Sequence, residues 1–109
     1  MAVVSVFALQ YCHTNKKIAS AMPVKHSMTY ITDVKPLLQT NCTPCHFPPK
    51  GFKKPLDTYS AASAAIDDMI ARIKLNPTDR GFMPFKHPKL SESVIHVFEQ
   101  WKADGLLEK

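Results

Sequence analysis

A chain of 109 residues with 45% apolar and 21% charged side chains is the size of one domain and rich enough in apolar residues to bury one core. Its net charge of +5 and pI near 9.2 point to acidic partners. The charge is not gathered on a basic helix or an aromatic-interleaved patch, which argues against a nucleic-acid module. The apolar run Val3, Val4, Val6, Phe7, Ala8 and Leu9 is too short to span a bilayer.

Residues 1–29 read as an extension before the domain. Either they are the remnant of an export or lipoprotein signal, with Cys12 as the modified residue, or they form an arm that docks on a partner. The match to a signal is poor, because no basic residue precedes the apolar run and small residues are missing before Cys12. A packed extension is the plainer alternative. Residues 30–109 read as the domain proper.

The first helix is expected from Thr32 or Asp33 to Asn41. Asp33 serves as N-cap, and Pro36 sits in the first turn, where its missing donor costs nothing. Val34, Leu37 and Leu38 share a face. The helix leads into Cys42-Thr43-Pro44-Cys45-His46. Cys-x-x-Cys-His is the attachment signature of a c-type haem. Two thiols one turn apart reach one porphyrin edge, and the following imidazole binds the iron. A bare Cys-x-x-Cys also fits a thiol redox pair or half a zinc site. The first needs a βαβ context that the sequence lacks. The second needs ligands beyond Cys12 at a spacing that His13, His26 and His87 do not supply.

Phe47 to Leu56 form a proline-rich basic loop. Asp57 or Thr58 then caps a second helix, in which Tyr59, Ala62, Ala65, Ile66, Met69, Ile70 and Ile73 recur at helical spacing. Asn76-Pro77 ends it. Most of the nine prolines fall from Pro44 onward. Met83 lies 37 residues after His46 in Gly81-Phe82-Met83-Pro84, an irregular loop able to bring a thioether to the iron. His87 is the rival sixth ligand, Met69 reads as core and His96 as surface. Ser91 caps the last helix, which runs to Ala103 with Val94, Ile95, Val97, Phe98 and Trp101 as its buried face. Gly105 breaks it, and residues 106–109 are expected to fray.

From Tyr30 to Asp104 these features resemble a small bacterial class I cytochrome c. The resemblance rests on Cys42-Thr43-Pro44-Cys45-His46, on Met83-Pro84, on the opening Ile31-Thr32-Asp33-Val34-Lys35-Pro36-Leu37-Leu38 and on the closing Trp101-Lys102-Ala103-Asp104-Gly105. It covers about two-thirds of the chain. The chain departs from the family in lacking a Gly-x-x-x-Phe pair in the first helix, where Leu37 and Leu38 take the packing role opposite Trp101.

The resemblance implies an all-α fold: a compact class I cytochrome c domain, its N- and C-terminal helices crossed around one covalent haem. It implies haem c attached through Cys42 and Cys45, with iron held by His46 and Met83. Phe47, Pro48 and Phe82 would pack on the group, and Tyr59, Arg72, Arg80 and Trp101 are candidates to hydrogen-bond its propionates. An ordinary solvated position explains Arg72 equally well. The implied function is one-electron transfer rather than catalysis, in a periplasmic or outward-facing setting. An acidic redox partner would dock near Lys50, Lys53, Lys54, Lys86 and Lys89, and the N-terminus would supply any membrane association. The alternatives are a haem subunit fixed in a membrane or dehydrogenase complex, and a sensor or peroxidase with a labile sixth ligand.

Overall fold

The computed structural model describes residues 25–109, and in them the chain is all helical with no sheet. Three α-helices follow one another: α1 (Lys35–Asn41), α2 (Tyr59–Ile73) and α3 (Glu92–Ala103). The readings placed on Cys12 and on residues 1–24 lie outside the described residues.

The first helix opens earlier than its capping pattern suggests. A wide turn, Tyr30–Val34, precedes α1 and merges into it. Its i→i+5 bonds run from the Val34 N–H to the Thr29 carbonyl and from the Lys35 N–H to the Tyr30 carbonyl. Thr29 is the cap, accepting from the Thr32 N–H at 3.3 Å, and the Asp33 carboxylate reaches back to the Thr29 N–H at 2.8 Å. Asp33 is therefore the returning half of a reciprocal cap rather than the cap itself. Pro36 stands at the seam between turn and helix, where its missing N–H coincides with the change of bonding pattern.

The other two helices begin where their caps place them. The Thr58 hydroxyl accepts from the Ala61 N–H at 3.1 Å, and the Ser91 hydroxyl accepts from the Val94 N–H at 3.3 Å. Thr58→Ala is expected to cost about 0.5–2 kcal/mol, read from urea unfolding.

The core forms where the opening turn, α2 and α3 meet. Val34, Leu38, Ala62, Ile66, Ile95, Phe98 and Trp101 are buried there. Tyr30, Tyr59 and Trp101 form an aromatic trio with ring centres 5.6–6.4 Å apart. The turn and α3 pack together through Tyr30 and Trp101. Lys74 and Lys102 pair across the α2–α3 seam with Glu99 and Asp67, exposed contacts worth little to stability.

The tail after Gly105 does not fray. The Leu107 carbonyl accepts from the Tyr30 N–H at 2.8 Å and the Trp101 indole N–H at 2.9 Å, and the Leu106 carbonyl accepts from the Tyr59 hydroxyl at 2.7 Å. The Ile31 N–H adds a bond to the Glu108 carbonyl. Gly105, at φ +97°, supplies the left-handed turn that brings the tail back. On the same side the Met28 N–H donates to the Asp104 carboxylate at 2.8 Å, which with Gln100 holds that carboxyl below its ordinary range. The two ends of the described fold are thus clasped together.

Candidate functional site

The Cys42–His46 segment continues past α1 as helical turns. The Cys42 N–H bonds to the Leu38 carbonyl and the His46 N–H to the Cys42 carbonyl. Cys42 and His46 therefore stand one turn apart. The following loop folds back over the motif: the Lys53 N–H reaches the Cys45 carbonyl at 3.0 Å and the Leu56 N–H reaches the His46 carbonyl at 2.9 Å. That fold-back leaves no room at Gly51, where an added Cβ would sit 2.0 Å from the Pro44 oxygen and 2.2 Å from the Cys45 oxygen.

The loop also fixes the imidazole. His46 Nδ1 lies 2.6 Å from the Lys54 carbonyl oxygen. A carbonyl only accepts, so Nδ1 carries the hydrogen and Nε2 keeps its lone pair in the neutral ring. A backbone carbonyl in this role is the usual partner of an imidazole that binds through its other nitrogen.

The segment around Met83 is fastened to the end of α2 by Arg72. The Arg72 carbonyl accepts from the Met83 N–H, and its guanidinium donates to the Gly81 carbonyl, both at 3.3 Å. The same guanidinium bonds Asp68 one turn back at 2.9 Å. Arg72 is neither idle nor free: it positions the loop.

Between these walls lies a cavity of about 420 Å³. The motif contributes Cys42, Cys45 and His46, the loop after α2 contributes Met83, Pro84, Phe85 and His87, and α2 contributes Ala65, Met69, Arg72 and Ile73. Leu56, Leu90 and Phe98 complete an apolar lining, with Lys53 and Lys54 at one side. Residues 37 apart in sequence, His46 and Met83, are thus brought to one pocket.

The remaining expected contacts lie elsewhere. Tyr59 and Trp101 give their polar hydrogens to the tail carbonyls. Phe82 is buried, Phe47 is half-buried against the core, and Pro48 is exposed. Arg80 borders a separate, shallower cavity with Asp68, Arg72 and Gly81. Met69 is both core and pocket wall, and His96 is exposed as expected. Sequence reading did not single out the Lys54 carbonyl or the steric demand at Gly51. Both act through the backbone, and the lone glycine in a proline-rich loop was the available signal.

The cofactor expectation is corrected. Among the described residues, no group of three or more His, Cys, Asp or Glu side chains comes together that could hold a metal ion. Cys42 and Cys45 stand as free thiols, the first half-buried and the second exposed. Burial raises the Cys42 thiol to about 11, away from the thiolate that a metal would bind. The haem c expected on Cys42 and Cys45 is accordingly withdrawn.

The raised Cys42 also disfavours thiol redox chemistry, which runs through the thiolate. In native protein at pH 8, iodoacetamide is expected to alkylate exposed Cys45 well ahead of Cys42, as read by peptide mass spectrometry. Equal alkylation of the two cysteines would contradict the burial that raises Cys42.

No family model, curated protein or solved structure matches the chain.

Proposed function

We propose that this chain is a one-electron carrier whose site is the pocket between the Cys42–His46 turn and the Met83 loop. The observation that supports it most is the meeting, in one largely apolar pocket, of an imidazole held with a free lone pair and a thioether fastened from α2.

The resemblance in the sequence places such a carrier in the periplasm or on an outward-facing surface. None of the described helices is long and apolar enough to cross a membrane. Voltammetry of the purified protein adsorbed on an electrode is the direct test of the electron count. A reversible one-electron wave is expected, weakened in His46→Ala. A two-electron wave, or no wave, would contradict the carrier.

A further inference from the structure

We infer that the shallow cavity beside Arg72 is a binding site for a phosphate group, held between the guanidinium groups of Arg72 and Arg80 and coupled through Arg72 to the Met83 loop. The inference stands apart from the carrier reading, because this cavity is separate from the pocket that Cys42, His46 and Met83 line.

The cavity holds about 370 Å³. Asp68, Ala71 and Arg72 of α2, Leu75 just beyond it, and Arg80 and Gly81 of the following loop form its wall. Two guanidinium groups share that wall with one carboxylate, so the cavity keeps a surplus of positive charge. Arg80 forms no ion pair within the described residues. Its neighbour Asp79 is committed elsewhere, accepting from the Asn76 N–H at 2.9 Å. Arg72 is committed only in part: its Nε–H goes to Asp68, and Nη1 donates to the Gly81 carbonyl. The rest of its donor fork is left for a ligand. Gly81 keeps the place open. Its φ is +92°, and an added Cβ would stand 3.2 Å from Arg72 Nη1.

The donors select the ligand. Guanidinium forks match the oxygens of carboxylate and phosphate groups. A carboxylate is used up by one fork, as Asp68 is by Arg72. A phosphate group has oxygens enough for both forks, and its charge of about −1.5 to −2 lets it compete with Asp68. The competition is open to solvent: the Arg72 and Asp68 side chains are 42% and 57% exposed, and such surface pairs contribute little. Coupling follows from the double use of Arg72. The guanidinium that would take the phosphate also holds the Gly81 carbonyl, and the backbone carbonyl of the same residue accepts from the Met83 N–H. Drawing the guanidinium towards an anion therefore shifts the segment that carries Met83.

The test is an NMR titration of the ¹⁵N-labelled full chain with inorganic phosphate, at constant ionic strength with chloride as the balancing anion. Saturable shifts are expected at the Arg72 and Arg80 Nε–H groups and at the Gly81 and Met83 amides. Arg80→Gln should weaken binding about tenfold, the worth of a charged hydrogen bond. Arg80→Lys should recover only part of that loss, because an ammonium lacks the fork. Asp68→Asn should tighten binding by removing the competing carboxylate. Three results would overturn the site: shifts that grow without saturating, unchanged affinity in Arg80→Gln, or acetate binding as well as phosphate. Saturation at the two arginines with unmoved Gly81 and Met83 amides would overturn the coupling. Saturable binding to a protein that gives no one-electron wave would keep the site and sink the carrier.

Discussion

Trp101→Ala is expected to cost about 3–5 kcal/mol, a large share of the roughly 5–15 kcal/mol that holds a small domain together. Trp101 is fully buried, and three elements meet on it. Its ring packs against Tyr30 of the opening turn and Tyr59 of α2, and its N–H holds the Leu107 carbonyl of the tail. Alanine would leave a cavity at that junction and loosen the tail that Tyr30 and Tyr59 also grip. Trp101→Phe separates the two contributions. It keeps most of the packing and loses one hydrogen bond, worth about 0.5–1.5 kcal/mol. The Leu107 carbonyl would retain the Tyr30 N–H as donor. Urea unfolding of both variants checks the difference. A loss in Trp101→Ala no larger than in Trp101→Phe would mean that the trio is not the keystone of the fold.

Gly51→Ala is expected to disturb the site more than its size suggests. The new methyl would meet the Pro44 and Cys45 carbonyl oxygens at 2.0 and 2.2 Å, and both are backbone atoms that cannot swing away. The loop must lift from the motif, at a cost of about 1–3 kcal/mol typical of overpacking. Lifting it breaks the Lys53–Cys45 and Leu56–His46 backbone bonds and carries the Lys54 carbonyl off the His46 ring. The expected result is a His46 imidazole that no longer holds one tautomer, seen in the ring ¹⁵N shifts. Gly105→Ala is the matched control. An added Cβ there meets nothing within 4 Å, yet φ is +97°, so stability should fall from backbone strain while the His46 ring is unchanged. Equal effects of the two variants on the ring would contradict the positioning role of the loop.

The helices were legible to the degree that their signals were side chains at regular spacing. Thr58 and Ser91 stand directly before amphipathic runs, and α2 and α3 start after them. The start of the first helix was misplaced because Thr29 and Asp33 are four apart rather than three, a spacing that the wide opening turn creates. The ordered tail was missed for a related reason. Its partners are main-chain carbonyls, which leave no mark in a sequence, and the positive φ of Leu106 is not one its residue type announces. The bonds that Tyr59 and Trp101 give to those carbonyls are invisible in a sequence for the same reason. At the site, the spacing of Cys42, Cys45 and His46 and the loop around Met83 were readable, and they line one pocket. Motif spacing alone did not carry the chemistry to a haem c, because no metal-holding cluster accompanies it among the described residues.

The central proposal is that this protein carries single electrons at the pocket that His46 and Met83 line. Visible absorption of the purified protein, recorded oxidised and after stepwise reduction with dithionite, tests it most directly. The account predicts a spectrum that changes on reduction and recovers on reoxidation, with clean isosbestic points. A colourless protein, or a chromophore indifferent to reductant, would contradict it.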